Sequence, residues 1–171
     1  TNILETKEFT LSVVSHDIVE QMNICSAEFP KEVNEFDKSG LNQYKSKIIN
    51  VPGVAESPII MECKFIQHIE ISSFPAGGNL LLGEIVQFHT KKEIYNNEDK
   101  IDPEKIDQVA RLGLNWYSRA KQGLFELKPP KFIPLGVDSL PIEVIKSPYF
   151  SGNHLARLAS VEKIPKEESI E

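Results

Sequence analysis

The sequence predicts a mainly β fold, an antiparallel barrel with small helices inserted between its strands. Segment 59–71 alternates apolar and polar residues with the period of two that half-buried strands show, and segment 80–93 is predicted to form a second long strand. A turn sequence, Pro75-Ala76-Gly77-Gly78-Asn79, separates them and joins them into one long hairpin. Strand and helix patterns do not alternate regularly along the chain, which argues against a doubly wound parallel sheet.

The chain ahead of this hairpin is predicted to form short elements. Residues 2–7 end a helix, residues 8–15 alternate as a strand, and Ser15 is a candidate N-cap for a helix over 16–26. One face of that helix carries Ile18, Met22 and Cys25. Residues 31–50 are polar, and we expect a loop with one helical turn there, of the kind that forms lids and interface arms.

The first segment of the hairpin places its apolar residues at odd positions and its polar residues at most even ones. We expect the odd face to pack against the core. Glu62 lies in the first strand of the hairpin and Glu84 in the second, and both point away from the main apolar side chains of their strands. We expect them to make cross-strand or intersubunit salt links.

A helix is predicted after the hairpin. Asp102-Pro103-Glu104 has the order of an N-cap, a proline at the first helical position and an acidic residue in the first turn. We expect this helix to continue to Gly113. Its buried stripe is Ile106, Val109 and Ala110.

The predicted organisation is a body over residues 1–130 and a C-terminal extended arm over 131–171. Short strands at 116–117 and 124–127 complete the body, and Pro129-Pro130 closes it. In the arm, four prolines separate short pieces, with a helix near 153–161 and a frayed end over 165–171.

The composition excludes several classes of function. The chain has 25 acidic and 19 basic residues and a net charge of −6, so it lacks the basic surplus that binds nucleic acid or anionic membranes. No apolar run approaches the roughly 20 residues of a membrane-spanning helix. The two cysteines, Cys25 and Cys63, form no CxxC pair, and the expected location is therefore a reducing cytoplasm.

The sequence also lacks the common catalytic and metal-binding motifs. Its four histidines do not lie at HxxxH or HExxH spacing, and the GxSxG, Walker and GxGxxG patterns are missing. We therefore predict no metal site and no catalytic side chain. Recognition of a phosphate or a dinucleotide would have to use a structure other than the Rossmann fold.

A series of short patterns recurs, in this order, in flavin-reductase-like proteins. The patterns are Asn2-Ile3-x-x-Thr6-x-Glu8-Phe9, Met22-Asn23, Glu35-Phe36 with Gly40-Leu41, Glu56-Ser57-Pro58 before Glu62-Cys63, Gly83-Glu84-Ile85-Val86-x-x-His89, and Arg111-Leu112-Gly113 with Tyr117. Over residues 2–130 the chain therefore resembles the FMN-binding split-barrel flavoproteins of the flavoredoxin type. Residues 136–153 resemble the C-terminal extension of one branch of that family.

This resemblance implies an antiparallel split barrel of the Greek-key type that binds FMN and forms a homodimer, with the flavin sites near the subunit interface. It implies an oxidoreductase that passes hydride or electrons from NADH or NADPH through FMN to flavin or another small-molecule acceptor. The N-terminal part of the family's domain, which carries much of the FMN contact, is expected to be missing ahead of Thr1. Two alternatives stay open: a flavin-binding electron carrier or non-catalytic module, and a split-barrel fragment with a structural role only.

Six residues are candidates for cofactor binding. Arg111, Gly113, Asn115 and Tyr117 combine a cation, an approachable backbone, an amide and an aromatic ring within a short span, which suits a phosphate or the edge of a flavin ring. The alternative is that Arg111 caps its own helix and Tyr117 is a half-buried strand residue. His89 either donates to the flavin or is a satisfied strand histidine. By resemblance Asn2 lies beside the phosphate, or it simply begins a helix.

Overall fold

The computed structural model describes residues 2–72, 74 and 77–164 of the 171-residue chain. It divides the chain into two units, with the division between Leu124 and Phe125. The first unit is mainly β with small helices, as predicted.

The elements of the first unit are short except for two strands. Its helices are α1 (Asn2–Thr6), α2 (Val19–Ile24), α3 (Glu35–Ser39) and α4 (Pro103–Ile106). Its strands are β1 (Glu8–Ser12), β2 (Gln43–Tyr44), β3 (Gly53–Val54), β4 (Ile59–Glu70), β5 (Asn79–Thr90), β6 (Val109–Gly113) and β7 (Trp116–Arg119). Among the described residues, no helix has both the length and the apolar character needed to cross a membrane.

The main sheet confirms the long hairpin. Its strand order is β1-β4-β5, and both pairings are antiparallel. The β4–β5 register runs from Ile59 opposite Thr90 to Glu70 opposite Asn79, with two irregularities along its length. Of the predicted turn between these strands, Pro75 and Ala76 lie outside the described residues.

The sequence predicts that only the odd-numbered, apolar face of this sheet is buried, and the structure differs. The even-numbered Ile60 and Glu62 of β4 are 3% and 0% exposed, whereas Leu11 and Phe88 on the opposite face are 49% and 56% exposed. The reason is that residues 43–54 lie across the polar face of the sheet. Side chains of that face, including Thr10 and Glu62, bond to the backbone of this segment.

The predicted helix over 103–113 is wrong beyond its first turn. Asp102 caps α4 as expected, since its carboxylate accepts the Glu104 N–H at 2.9 Å. The helix then ends because Asp107 takes the left-handed conformation, with φ of 49°. The Arg119 guanidinium binds both carboxylate oxygens of Asp107, and the chain continues as the β6–β7 hairpin.

Two further expectations are corrected. Ser15 lies at the predicted N-cap position, but its side chain makes no capping hydrogen bond and the turn that it begins is a 3-10 turn over 16–18 ahead of α2; Ser15 also forms an isolated β-bridge with Gln108. The segment 124–127 has no strand pairing and continues as irregular chain.

The second unit is held by short helices, α5 (Ile142–Ile145) and α6 (Gly152–Leu158). Ser151 and His154 form a reciprocal capping box at the start of α6, which explains why the helix predicted near 153–161 begins where it does. The predicted frayed end at 165–171 lies outside the described residues.

We predict that Gly53→Ala destabilises the first unit. A Cβ at this buried position would lie 2.5 Å from Cγ2 of Ile60, which is itself buried, and overpacking of this kind costs about 1–3 kcal/mol. The free energy of unfolding from urea denaturation measures the effect. Gly123→Ala is the matched control, because a Cβ there meets no atom within 4 Å. Equal effects of the two substitutions would contradict the prediction.

Candidate functional site

Three of the predicted cofactor-binding residues line one cavity. Arg111, Asn115 and Tyr117 of the β6–β7 hairpin face α2 across a space of about 380 Å³. The remaining lining comes from Val19, Glu20, Asn23, Ser26 and Leu114. The structure thus brings together a cation, two amides, two hydroxyl groups and a carboxylate.

The hairpin geometry sets the direction of these side chains. Arg111 and Tyr117 are directly opposite each other in the register, so they share a face of the hairpin. The turn between them is closed by an Arg111 Nη2 hydrogen bond to the Leu114 carbonyl at 3.2 Å. Arg111 therefore lies on a strand, and the expectation that it lies near a helix end is wrong.

Gly113 supplies the backbone at the start of the turn. Its φ is 106°, a conformation that L-residues with a side chain rarely adopt. A Cβ built at this position would meet nothing within 4 Å, so the backbone is open to close approach by a ligand. Leu114 follows it with φ of 48°, and Gly113 and Leu114 together turn the chain back.

Asn2 lies elsewhere, at the beginning of α1. It lines a cavity of about 550 Å³ with Ile3, Leu4, His68, Asn79 and Leu81, and it borders a second cavity beside Phe29 and Phe36. Its carbonyl accepts the Thr6 hydroxyl at 3.0 Å. Beginning a helix is the alternative expected for Asn2 from sequence, and its proximity to a phosphate stays a prediction.

His89 has internal partners at both ring nitrogens. Nε2 lies 2.5 Å from Oε1 of Glu62, and Nδ1 lies 3.2 Å from the hydroxyl of Tyr44. This is the arrangement of a satisfied strand histidine, the alternative kept open above. A hydrogen bond from His89 to a flavin stays a prediction.

Glu62 is the buried ionisable group that sequence reasoning missed. Its carboxylate accepts three backbone N–H groups, from Lys47 and Ile48 at 2.7 Å each and from Ile49 at 3.0 Å. Burial raises the pKa of this carboxyl, but the hydrogen bonds from these N–H groups and from His89 outweigh burial and lower the pKa to about 2. The cross-strand link expected for Glu62 is present, since its carboxylate contacts His89 on β5, and the three backbone N–H groups add hydrogen bonds that the sequence did not predict.

One group of three side chains lies close enough together to resemble a metal-binding site. Ligand atoms of His16, Asp17 and Asp107 lie within 4.8 Å of one another. The guanidinium of Arg119 binds both oxygens of Asp107 and lowers the pKa of this carboxyl. Because Arg119 already supplies the positive charge at Asp107, these residues do not make a case for a metal.

Comparison with known proteins decides the family. Residues 1–124 match the model of the flavin reductase like domain. The chain belongs to this family. Among curated members, an uncharacterized protein of Aquifex aeolicus (strain VF5) is 33% identical over 119 residues, which cover 70% of this chain and 59% of that protein. The chain spans about three fifths of the length of the curated relatives it matches.

Solved structures agree with this family and with the predicted split-barrel fold. The Pseudomonas fluorescens 2-nitrobenzoate 2-nitroreductase NbaA is 28% identical with a TM-score of 0.67, and the match covers 78% of this chain and 64% of that one. A Shewanella frigidimarina NCIMB 400 protein with the split barrel domain of a flavin reductase is 28% identical with a TM-score of 0.65, covering 77% and 64%.

We predict that Glu62→Gln lowers the free energy of unfolding by about 2–3 kcal/mol at pH 7, because an amide cannot accept all of these hydrogen bonds. The wild-type contribution is complete above the ordinary carboxyl pKa of 4.5 and is lost as the pH falls toward about 2. Urea denaturation between pH 7 and pH 3 measures both effects. A variant whose stability falls with acid as steeply as the wild type would contradict this assignment.

Proposed function

We propose that this chain is part of an FMN-dependent oxidoreductase of the flavin reductase type. It passes hydride or electrons from NADH or NADPH through FMN to flavin or another small-molecule acceptor. The observation that carries the proposal is the cavity between α2 and the β6–β7 hairpin, which lies within the family's domain and holds three of the residues predicted for the cofactor.

The chemistry of this cavity fits FMN. A guanidinium such as that of Arg111 forms paired hydrogen bonds with a phosphate or with the oxygens of a flavin's pyrimidine edge. Asn115 and Tyr117 add an amide and a phenol, and Gly113 allows the backbone to approach. The cavity volume is within the range of roughly 300–1,000 Å³ that small-molecule sites occupy.

In this proposal the protein binds and orients the cofactor. When bound, FMN supplies the hydride and electron chemistry. Arg111 places positive charge beside a phosphate or ring edge, and Tyr117, on the same face of the hairpin, restricts its position. Asn2, through the resemblance, is kept as a neighbour of the phosphate. None of these residues is assigned a proton-transfer step.

The names of the structural neighbours do not single out one electron acceptor. One structural neighbour is named as a 2-nitrobenzoate 2-nitroreductase and another as a nitrilotriacetate monooxygenase component B, from Bacillus cereus. Reduction of a nitro group and delivery of electrons to a monooxygenase are both compatible with electrons leaving a reduced flavin. The proposal is therefore a reaction type with more than one candidate acceptor.

A homodimer and a cytoplasmic location belong to the same proposal. Three apolar side chains on one face of β5 are between 39% and 56% exposed, and a second subunit would cover them: Leu81, Ile85 and Phe88. Both cysteines are free thiols, as a reducing compartment favours. Sedimentation equilibrium measures the oligomeric state.

We predict that Arg111→Ala weakens FMN binding about 10- to 100-fold, because a charged hydrogen bond of this kind contributes roughly 1.5–3 kcal/mol. Flavin fluorescence quenching, with protein expressed from its whole coding sequence, gives the dissociation constant. Arg111→Lys should recover part of the affinity, since it keeps the charge and loses the paired geometry.

Arg157→Ala removes an exposed arginine of α6 in the second unit and is the control. Equal affinities for the wild type, Arg111→Ala and Arg157→Ala would remove Arg111 from the site. A wild-type protein that binds no FMN would overturn the proposed function itself.

We predict that the FMN-loaded protein oxidises NADH or NADPH in steady state with added flavin, on the order of 1–10³ turnovers per second as for typical enzymes. The loss of the absorbance of the reduced nicotinamide follows the reaction. Bound flavin without turnover by either donor would favour the alternative, an electron carrier or a non-catalytic flavin-binding module.

A further inference from the structure

The segment 45–52, called the strap below, crosses the polar face of the main sheet in an unusual way. Its four consecutive N–H groups from Lys47 to Asn50 donate to carboxylate side chains. Three of them bond to Glu62, and the Asn50 N–H bonds to Oε2 of Glu8 at 2.9 Å. Two acidic side chains on neighbouring strands therefore hold the backbone of the strap.

The other contacts of the strap are few. The Thr10 hydroxyl donates to the Pro52 carbonyl at 2.9 Å, and the Asn50 side-chain amide donates to Glu8 at 3.2 Å. Ile49 is 6% exposed, whereas the adjacent Ile48 is 53% exposed. One buried isoleucine gives limited apolar anchoring, so the position of the strap depends strongly on the carboxylates.

We propose that the strap is a locally releasable element, held closed by hydrogen bonds to the side chains of Glu62 and Glu8 and released when Glu62 is protonated, without unfolding of the sheet beneath it. Glu62 is the main acceptor that holds the strap, because it is wholly buried and accepts three of the four backbone hydrogen bonds. Glu8 accepts the fourth, from Asn50, and holds the strap more weakly.

The charges around Glu62 determine the direction of the response. A protonated carboxyl has one O–H that donates, so it opposes the strap's N–H donors instead of accepting from all of them. The strap is therefore closed above the ordinary carboxyl pKa of 4.5 and is released as the pH falls from there toward about 2.

The neighbouring groups do not reverse this direction. Nε2 of His89, on β5, donates to Glu62 and so favours the ionised form of this carboxyl, as the strap does. The other titratable groups of this region are Lys45 and Lys47 on the strap, Lys64 on β4 opposite Glu8, and Tyr44 on β2.

Amide hydrogen exchange tests the proposal at pH 7 in wild type, Glu62→Gln and Glu8→Gln. We expect the amides of 47–50 to exchange roughly 10- to 100-fold faster in Glu62→Gln, with a smaller increase in Glu8→Gln. The amides that pair β4 with β5 should keep their protection apart from the change in global stability. Trypsin should then cleave the native Glu62→Gln variant first after Lys45 and Lys47.

Glu56→Gln is the matched control. Glu56 also accepts a backbone N–H, that of Asn42 at 3.1 Å, but it does not touch the strap. Its substitution should leave the exchange of 47–50 unchanged. An equal acceleration in Glu56→Gln, or strap amides that exchange only together with those of β4 and β5, would overturn the proposal.

A pH series on the wild type covers the case in which Glu62→Gln does not fold. After correction for the intrinsic exchange rate, protection at 47–50 should fall about tenfold or more between pH 6 and pH 3, while β4 and β5 stay protected. Parallel loss of protection in the strap and the sheet would show global acid unfolding and would overturn the proposal.

Discussion

The burial of one carboxylate, Glu62, is the constraint on which the first unit depends. A carboxylate out of contact with water is costly unless its oxygens are filled with hydrogen bonds, and four donors from two distant segments fill them here. To supply those donors, residues 47–49 must lie over β4, and His89 must lie beside Glu62 on β5. Satisfying this charge therefore positions the cover of the polar face and aligns the two long strands.

A second ionic contact has the same role at the candidate cofactor site. Asp107 turns the chain in a left-handed conformation, and Arg119, from the far strand of the following hairpin, binds its carboxylate. This pair joins the two ends of the hairpin and thereby presents Arg111 and Tyr117 toward α2. The cavity walls come from a hairpin and a helix distant in sequence, so the arrangement depends on tertiary contacts more than on any one element.

The family and the site give complementary kinds of information. Membership in the flavin reductase like domain family and the split-barrel neighbours fix the type of scaffold. The individual residues show where the polar groups of this scaffold point. Arg111 lies exposed beside a cavity, whereas His89 and Glu62 bond to each other and Glu62 bonds to the strap. His89 and Arg111 belong to two motifs of the same series but have different surroundings. His89 is hydrogen-bonded within the protein, and Arg111 is open to a ligand.

The sequence by itself determined the features whose signals are local: the alternation of β4, the turn residues between β4 and β5, the Asp102-Pro103 start of α4, and the ordered motifs that indicate the family. It did not determine the end of α4, because the turn at Asp107 depends on an arginine 12 residues away. Nor did it show that Glu62 is buried, because its partners lie 13 to 27 residues away and a lone acid in an alternating strand has the pattern of a surface residue. Only the tertiary structure decided these points, since a polar residue can be buried only where other segments supply its hydrogen bonds.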